Sequence, residues 1–392
     1  MAGNIVFEDA EIRVVHRPGS SDYSLVTFAA LGHRPNGDWI WAGPPIEKLD
    51  IEAIGIIAHR PNWFPAAAMQ AAAPVIRDLL RPRAIGYGYS MGGYAVLKYG
   101  RLLGLTHGLA VSPQVSIDPA DVPQERRFRP HHDPVLHANM AVVAPDPPPI
   151  SFVVGDTMWD LDGLHLRQAA TLPGVHVIPL PFMRHAAIDR LTSTRVIASV
   201  LDLVLAGDAA ALREELRRGR SQSAELHLWI GRSAAARGHL GPAERLWARA
   251  QALGARPGGI AAVRALALRE RLMALFAMRR PREAIAFINT AIEEQGRQVQ
   301  ALVHLGEYLR RRGLPARAAQ CFRRAIQTAP RFAPAHLGLL QALQARAGPR
   351  EIALARSAAL ENLSHSPADV GAVLALDIDL PAPAESVPIP GQ

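Results

Sequence analysis

The chain is poor in the residues that staple, coordinate or anchor. Its one cysteine, Cys321, has no partner for an internal disulfide, and with no second thiol near it there is no zinc spacing and no redox pair. Lysine is almost missing: Lys48 and Lys98 are the only two, so nearly all positive charge is arginine. No apolar run approaches the roughly 20 residues a membrane-spanning helix needs, since Val196 to Ala206 is interrupted by Asp202. Met1 to Ala10 carries Glu8 and Asp9 where a secretory leader would be positively charged and then apolar. A cytoplasmic protein without a membrane span is expected. Aromatic residues make up 6% of the chain and are not interleaved with basic clusters, so the formal charge of +8 does not read as a nucleic-acid footprint.

That charge is unevenly divided. Residues 1–200 carry 17 basic and 18 acidic side chains, and residues 201–392 carry 26 and 17, so the two halves differ in kind. At 392 residues the chain is long for one core and comfortable for two.

Apolar, β-branched runs alternate with helical stretches over the first half. Strands are expected at Ile12 to Val15, Ser24 to Ala29, Ala53 to Ala58, Ala84 to Tyr89, His107 to Ser112, Ile150 to Gly155 and Val175 to Leu180. Helical spacing recurs at Pro65 to Leu80, Met91 to Leu103, Gly163 to Thr171 and Ala187 to Leu205. This is the pattern of an α/β fold with a mostly parallel sheet. Ser112 to Pro149, rich in proline, histidine and charge, reads as a long excursion over one sheet edge. From Gly207 the strand signals stop, and alanine, leucine and arginine repeat at helical period. Ala284/Ala318 and Ala291/Ala325 recur at a 34-residue interval, which indicates a helical repeat. The expected division is residues 1–206, 207–364 and a Pro-rich tail at 365–392.

Gly88-Tyr89-Ser90-Met91-Gly92 fits G-x-S-x-G, with an apolar strand ending on it and a helix starting after it. That context puts a serine on a strained strand-to-helix turn, its hydroxyl raised above the sheet and facing a helix N-terminus. Ser90 is therefore the candidate nucleophile. An alcohol needs an imidazole base oriented by a carboxylate. His185, between the last strand and the last helix of the first half, is the candidate base. For the acid, Asp156 directly follows the strand Ile150 to Gly155 and is preferred over Asp160 and Asp162, the last of which would serve equally as a helix cap. The oxyanion hole needs two N–H donors, assigned to Met91 and to Ala30, with Ala29 one residue away. Trp39, Trp41, Trp63 and Phe64 are candidates for a pocket wall or, equally, for covering the sheet edge, and Tyr89 is a further candidate pocket residue. His131, His132 and His137 lack partners for a metal shell and read as exposed loop histidines. Arg310, Arg311 and Arg312 read as a solvated face.

These residues resemble the α/β-hydrolase superfamily over about residues 20–206. The segments Tyr89-Ser90-Met91-Gly92-Gly93-Tyr94 and Ser112-Pro113-Gln114-Val115-Ser116-Ile117-Asp118-Pro119, then Asp156, Asp162, His165 and His185, are similar in order and spacing to a small bacterial branch of it. The resemblance implies a serine-hydrolase mechanism without a cofactor, acting on a small ester or thioester. An acyltransferase would use the same residues, and a non-catalytic scaffold is the rival of a different class. Leu305, Gly306, Gly313, Ala318, Phe322, Ala325 and Pro330 resemble a tetratricopeptide repeat, as do Gly231, Gly238, Ala243, Trp247 and Ala250. That second resemblance implies a protein or peptide contact surface.

Overall fold

The computed structural model describes residues 3–294, 299–345 and 347–376. Two compact units divide the chain, Met1–Leu226 and His227–Gln392.

The first unit is built on one eight-stranded sheet: β1 (Asn4–Glu8), β2 (Ile12–Arg17), β3 (Ser24–Phe28), β4 (Glu52–Ala58), β5 (Ala84–Tyr89), β6 (His107–Val111), β7 (Ile150–Gly155) and β8 (Val175–Pro179). The spatial order is β1-β2-β4-β3-β5-β6-β7-β8. β1 and β2 pair antiparallel at one edge, and every pair from β4/β3 to β7/β8 is parallel. Strands β3, β4 and β6 are buried at every residue, as their continuous apolar sequences require when helices cover both faces. The α/β fold with a mostly parallel sheet is thus the one expected. β1 was not expected, because its sequence leaves it largely exposed and it carries little apolar signal.

The covering helices are α1 (Gly43–Lys48), α2 (Ala66–Leu79), α3 (Met91–Leu103), α4 (Asp160–Ala169), α5 (Thr194–Leu205) and α6 (Ala209–Arg217). α3 is the central one, with Tyr94, Ala95, Val96, Leu97, Tyr99 and Leu103 buried in the main core. α6 packs against α5 and β8 and buries Leu212 and Leu216, so the first unit extends past residue 206.

The excursion between β6 and β7 is packed onto the core. It buries Val115, Ile117, Val122, Phe128, Met140 and Val142. It is also tied down onto α3, where the Tyr94 hydroxyl donates to Met140 O (2.6 Å) and Lys98 Nζ to Asp146 Oδ2 (2.8 Å). His137, expected to be exposed, is buried. Its Nε2 is bonded to Asn62 O (2.9 Å) and its Nδ1 accepts from Asp133 N–H (2.8 Å), so it pins the segment to the end of β4.

The second unit is helical throughout its described residues, as expected: α7 (Ala224–Ala236), which begins in the first unit, then α8 (Leu240–Ala252), α9 (Pro257–Ala277), α10 (Pro281–Glu294), α11 (Val299–Arg311), α12 (Pro315–Thr328), α13 (Ala333–Gln344), α14 (Pro349–Asn362) and α15 (Pro367–Leu374). Two of the glycines in the helical unit have a packing cause. The Trp247 ring lies where a side chain on Gly231 would be, and the Phe322 ring lies against Gly306, both sixteen residues later in the chain. The tail expected from residue 365 instead begins with α15, whose Val373 is buried against Leu340, Ala359 and Leu363. Residues 377–392 lie outside the described residues. No described helix is long and apolar enough to cross a membrane.

Candidate active site

Ser90 sits between β5 and α3 with φ 54° and ψ −117°, a backbone conformation that costs a non-glycine residue about 1–3 kcal/mol. The surroundings over-determine it. Ser90 N–H donates to Val111 O on the neighbouring strand (2.9 Å), and Ser90 O accepts from Tyr94 N–H in the first turn of α3 (3.0 Å). The two motif glycines supply room: a Cβ on Gly88 would lie 2.2 Å from Gly92 O, and one on Gly92 would lie 2.2 Å from Phe28 O. The start of α3 is therefore pressed against the end of β3 at Phe28. Ala29 N–H is committed to Ile56 O (3.0 Å), which leaves Ala30 as the second oxyanion donor candidate.

His185 lies in a 3-10 stretch, Arg184–Leu191, that precedes α5; the expected single helix from Ala187 is divided there, and Ser193 caps α5 by accepting from Val196 N–H (3.2 Å). Its Nε2 is 2.9 Å from Ser90 Oγ. Its Nδ1 lies 3.0 and 2.9 Å from the two oxygens of Asp162. The Tyr89 hydroxyl donates to His185 O (2.8 Å), and burial pushes that hydroxyl's pKa up to about 12.

The carboxylate beside His185 is thus Asp162 and not the expected Asp156. The reason is local. α4 begins at Asp160, three residues earlier than the sequence pattern indicates, with Trp159 in the cap position, so Asp162 does not cap the helix and points from its first turn to His185. Asp156 makes a tight turn instead, accepting from Met158 N–H (2.9 Å), while its other oxygen accepts from Arg184 N–H (2.7 Å). It holds the residue next to the base. Asp160 is exposed.

The candidate pocket residues separate. Tyr89 lines a cavity of about 300 Å³ with Trp159, Arg184, His185 and Ile188. Trp63 is fully buried, and its Nε1–H donates to Gln114 Oε1 (3.2 Å). Phe64 is core, edge-on to Phe28 with ring centroids 5.5 Å apart. Trp39 stacks on His33 (5.1 Å), and Trp41 lies tilted against Tyr87 (4.6 Å).

Two residues with no role assigned from the sequence also meet here. Gln114, fully buried, has its Oε1 occupied by Trp63, so its NH2 end faces Ser90 Oγ at 3.4 Å. Arg127 donates through Nη1 to Asp162 Oδ1 (2.9 Å) and pairs with Glu125. Only tertiary contact reveals them, because both come from the irregular segment after β6. Among the described residues no His, Cys, Asp and Glu grouping could hold a metal ion.

No protein-family model matches the chain, and no curated protein matches it. Among solved structures it is similar to the capsule O-acetyltransferase of Neisseria meningitidis serogroup A, at 12% identity over 50% of this chain and 95% of that one, with a TM-score of 0.37. A second structure of that enzyme gives 10% identity, 51% and 96% coverage and a TM-score of 0.37. A variant in complex with CoA gives 10%, 45% and 85%, with a TM-score of 0.34.

Proposed function

We propose that the first unit is a serine acyl-transfer enzyme that hydrolyses an ester or thioester through an acyl-enzyme, with Ser90, His185 and Asp162 as its triad. The observation that carries this reading is the unbroken hydrogen-bond line from Ser90 Oγ through His185 to the buried Asp162 carboxylate, built on a strained elbow. Ser90 Oγ attacks the acyl carbon as its proton passes to His185 Nε2, and Asp162 stabilises the imidazolium through Nδ1–H. The Met91 and Ala30 N–H groups hold the oxyanion. Collapse expels the alcohol or thiol, protonated by His185, and leaves an ester on Ser90. Water, deprotonated by His185, then releases the acid and restores the hydroxyl. Another acceptor in place of water would make the same site a transferase.

Labelling by a fluorophosphonate probe tests the reading. Modification at Ser90 in wild type, lost in Ser90→Ala and in His185→Ala, is the expected result. A folded protein that is not labelled would overturn it in favour of a binding scaffold. The helical unit is read as a contact surface for a protein or peptide, a reading supported by a cavity of about 370 Å³ between α9 and α11 lined by Leu266, Arg269, His304, Tyr308 and Arg311.

A further inference from the structure

Three ionisable side chains beside the triad have no part in the mechanism above: Glu125, Arg127 and His165. Glu125 and His165 are fully buried. Burying charge this way is costly unless it is paired, so a layered network so close to the base calls for a role. His165 Nδ1 accepts from Val115 N–H (3.3 Å), which puts its proton on Nε2, 3.3 Å from Glu125 Oε2. Glu125 in turn accepts from Arg127 Nε on both oxygens (3.0 Å each) and from Nη2 (2.5 Å). The free end of the guanidinium, Nη1, donates to Asp162 (2.9 Å) and lies 3.4 Å from His185 Nδ1. The rings of Trp159 and Phe128 flank it at 4.7 and 4.9 Å.

We propose that Arg127 is a positioning residue that fixes Asp162 and sets the pH at which His185 acts, with Glu125, anchored by His165, determining how much of the Arg127 charge His185 feels. The proposal rests on the triad reading. A cation against Asp162 and Nδ1 opposes protonation of the imidazole, and a carboxylate behind that cation restores it. The pairing is tight. Burial pushes the Glu125 carboxyl up, but the hydrogen bonds from His165 and Arg127 outweigh it and hold the pKa to about 2, so Glu125 stays charged over the working range. The other groups around His185 are Tyr89, neutral throughout, and Asp189 and Arg184 on its own segment. Asp156 is bonded to the Arg184 amide, and Glu225 lines the same cavity. All of these are common to the variants below, so they cancel in the comparison.

The test is the pH dependence of the second-order rate of Ser90 modification by the fluorophosphonate, which needs no known substrate. Its acid limb reports the imidazole. Glu125→Gln leaves Arg127 uncompensated and is expected to move the limb down by about one pH unit, whereas Arg127→Met leaves the carboxylates unopposed and moves it up by about one unit. The double variant, neutral at both positions, returns the limb close to wild type. Should Arg127→Met fail to fold, Arg127→Lys keeps the charge without the fork, so it is expected to hold the wild-type limb at a reduced rate while Glu125→Gln carries the sign. Limbs that coincide, or that move in one direction in both single variants, overturn the proposal even if rates fall. Absence of Ser90 labelling in wild type sinks the triad reading and this inference together, whereas labelling with an unmoved limb sinks only this one.

Discussion

Exchanging each aspartate near His185 for asparagine separates the carboxylate that the sequence favours, Asp156, from the one bonded to the imidazole, Asp162. Asp162→Asn removes a charge whose oxygens lie 2.9 and 3.0 Å from His185 Nδ1, on a side chain 1% exposed. As Ser90 attacks, the imidazole becomes a cation. With charge centres roughly 4 Å apart and an effective dielectric of about 20, the lost attraction is about 4 kcal/mol, or on the order of a thousandfold in rate. Asp156→Asn is different in kind. It keeps one acceptor oxygen and loses a charge-assisted bond to Met158 or Arg184 N–H, worth about 1–3 kcal/mol, so the Arg184-His185 turn loosens. A loss within about tenfold, with a lowered melting temperature, is expected. The assay is the rate of fluorophosphonate labelling at one pH, with circular dichroism to establish folding. If Asp156→Asn loses a thousandfold and Asp162→Asn stays within tenfold, the assignment of the acid is wrong.

Other outcomes follow from the same geometry. Gly92→Ala drives a Cβ to 2.2 Å from Phe28 O, a backbone atom, and is expected to cost more than about 2 kcal/mol in urea unfolding and to abolish labelling. Gln114→Leu strands the buried Trp63 N–H and removes the donor facing Ser90 Oγ, so stability falls by about 1–3 kcal/mol and labelling slows by about tenfold. Cys321, whose thiol burial pushes up to about 12, should resist alkylation at pH 8 until the helical unit is unfolded, which mass spectrometry of iodoacetamide-treated protein reads directly. Glu125 gives a pH signature: a carboxyl lowered from 4.5 to about 2 contributes about 3 kcal/mol that is fully present above pH 4.5 and lost as the pH falls through 2. Comparing wild type with Glu125→Gln over that window should therefore show the stability difference closing as acid is added.

Legibility followed periodicity. Central strands such as Glu52–Ala58 and Ala84–Tyr89 were readable because burial on both faces forces a continuous apolar run, and Ser90 because the elbow demands glycines at fixed offsets. That His185 meets Ser90 was readable from chain order alone. The carboxylate proposed as the acid was not. The rule that it leaves a strand end pointed to Asp156, but the choice among three aspartates within seven residues turns on where α4 starts, and helix starts are fixed by capping contacts that here are made without a side-chain cap. β1 was missed for the converse reason, since a half-exposed edge strand carries no burial pattern. Arg127 carries no pattern at all, and Gln114 only its place in the segment Ser112 to Pro119: both lie in an irregular segment, and what selects them is where that segment is tied down.

The tying-down is what brings the irregular segment to the proposed site. Its backbone runs from Ser112, itself at φ 44°, and is fixed at Met140 and Asp146 to two side chains of α3, the helix that carries the Ser90 elbow. Between these anchors it brings Gln114 to Ser90 and Arg127 to Asp162. Asp162 comes from α4 and His185 from the stretch after β8, so the three residues of the proposed triad stand on three separate connections. Asp156 clamps the base's neighbour and Arg127 clamps the acid. Loss of either clamp therefore acts on the distance between Nδ1 and Asp162 rather than on Ser90, whose position is set by the sheet. The loss of stability in Tyr94→Phe, which removes the bond to Met140 O, should accordingly be small, about 1 kcal/mol, while the labelling rate falls by more than that loss accounts for. Equal labelling rates in wild type and Tyr94→Phe would show that the segment holds Gln114 and Arg127 without help from α3.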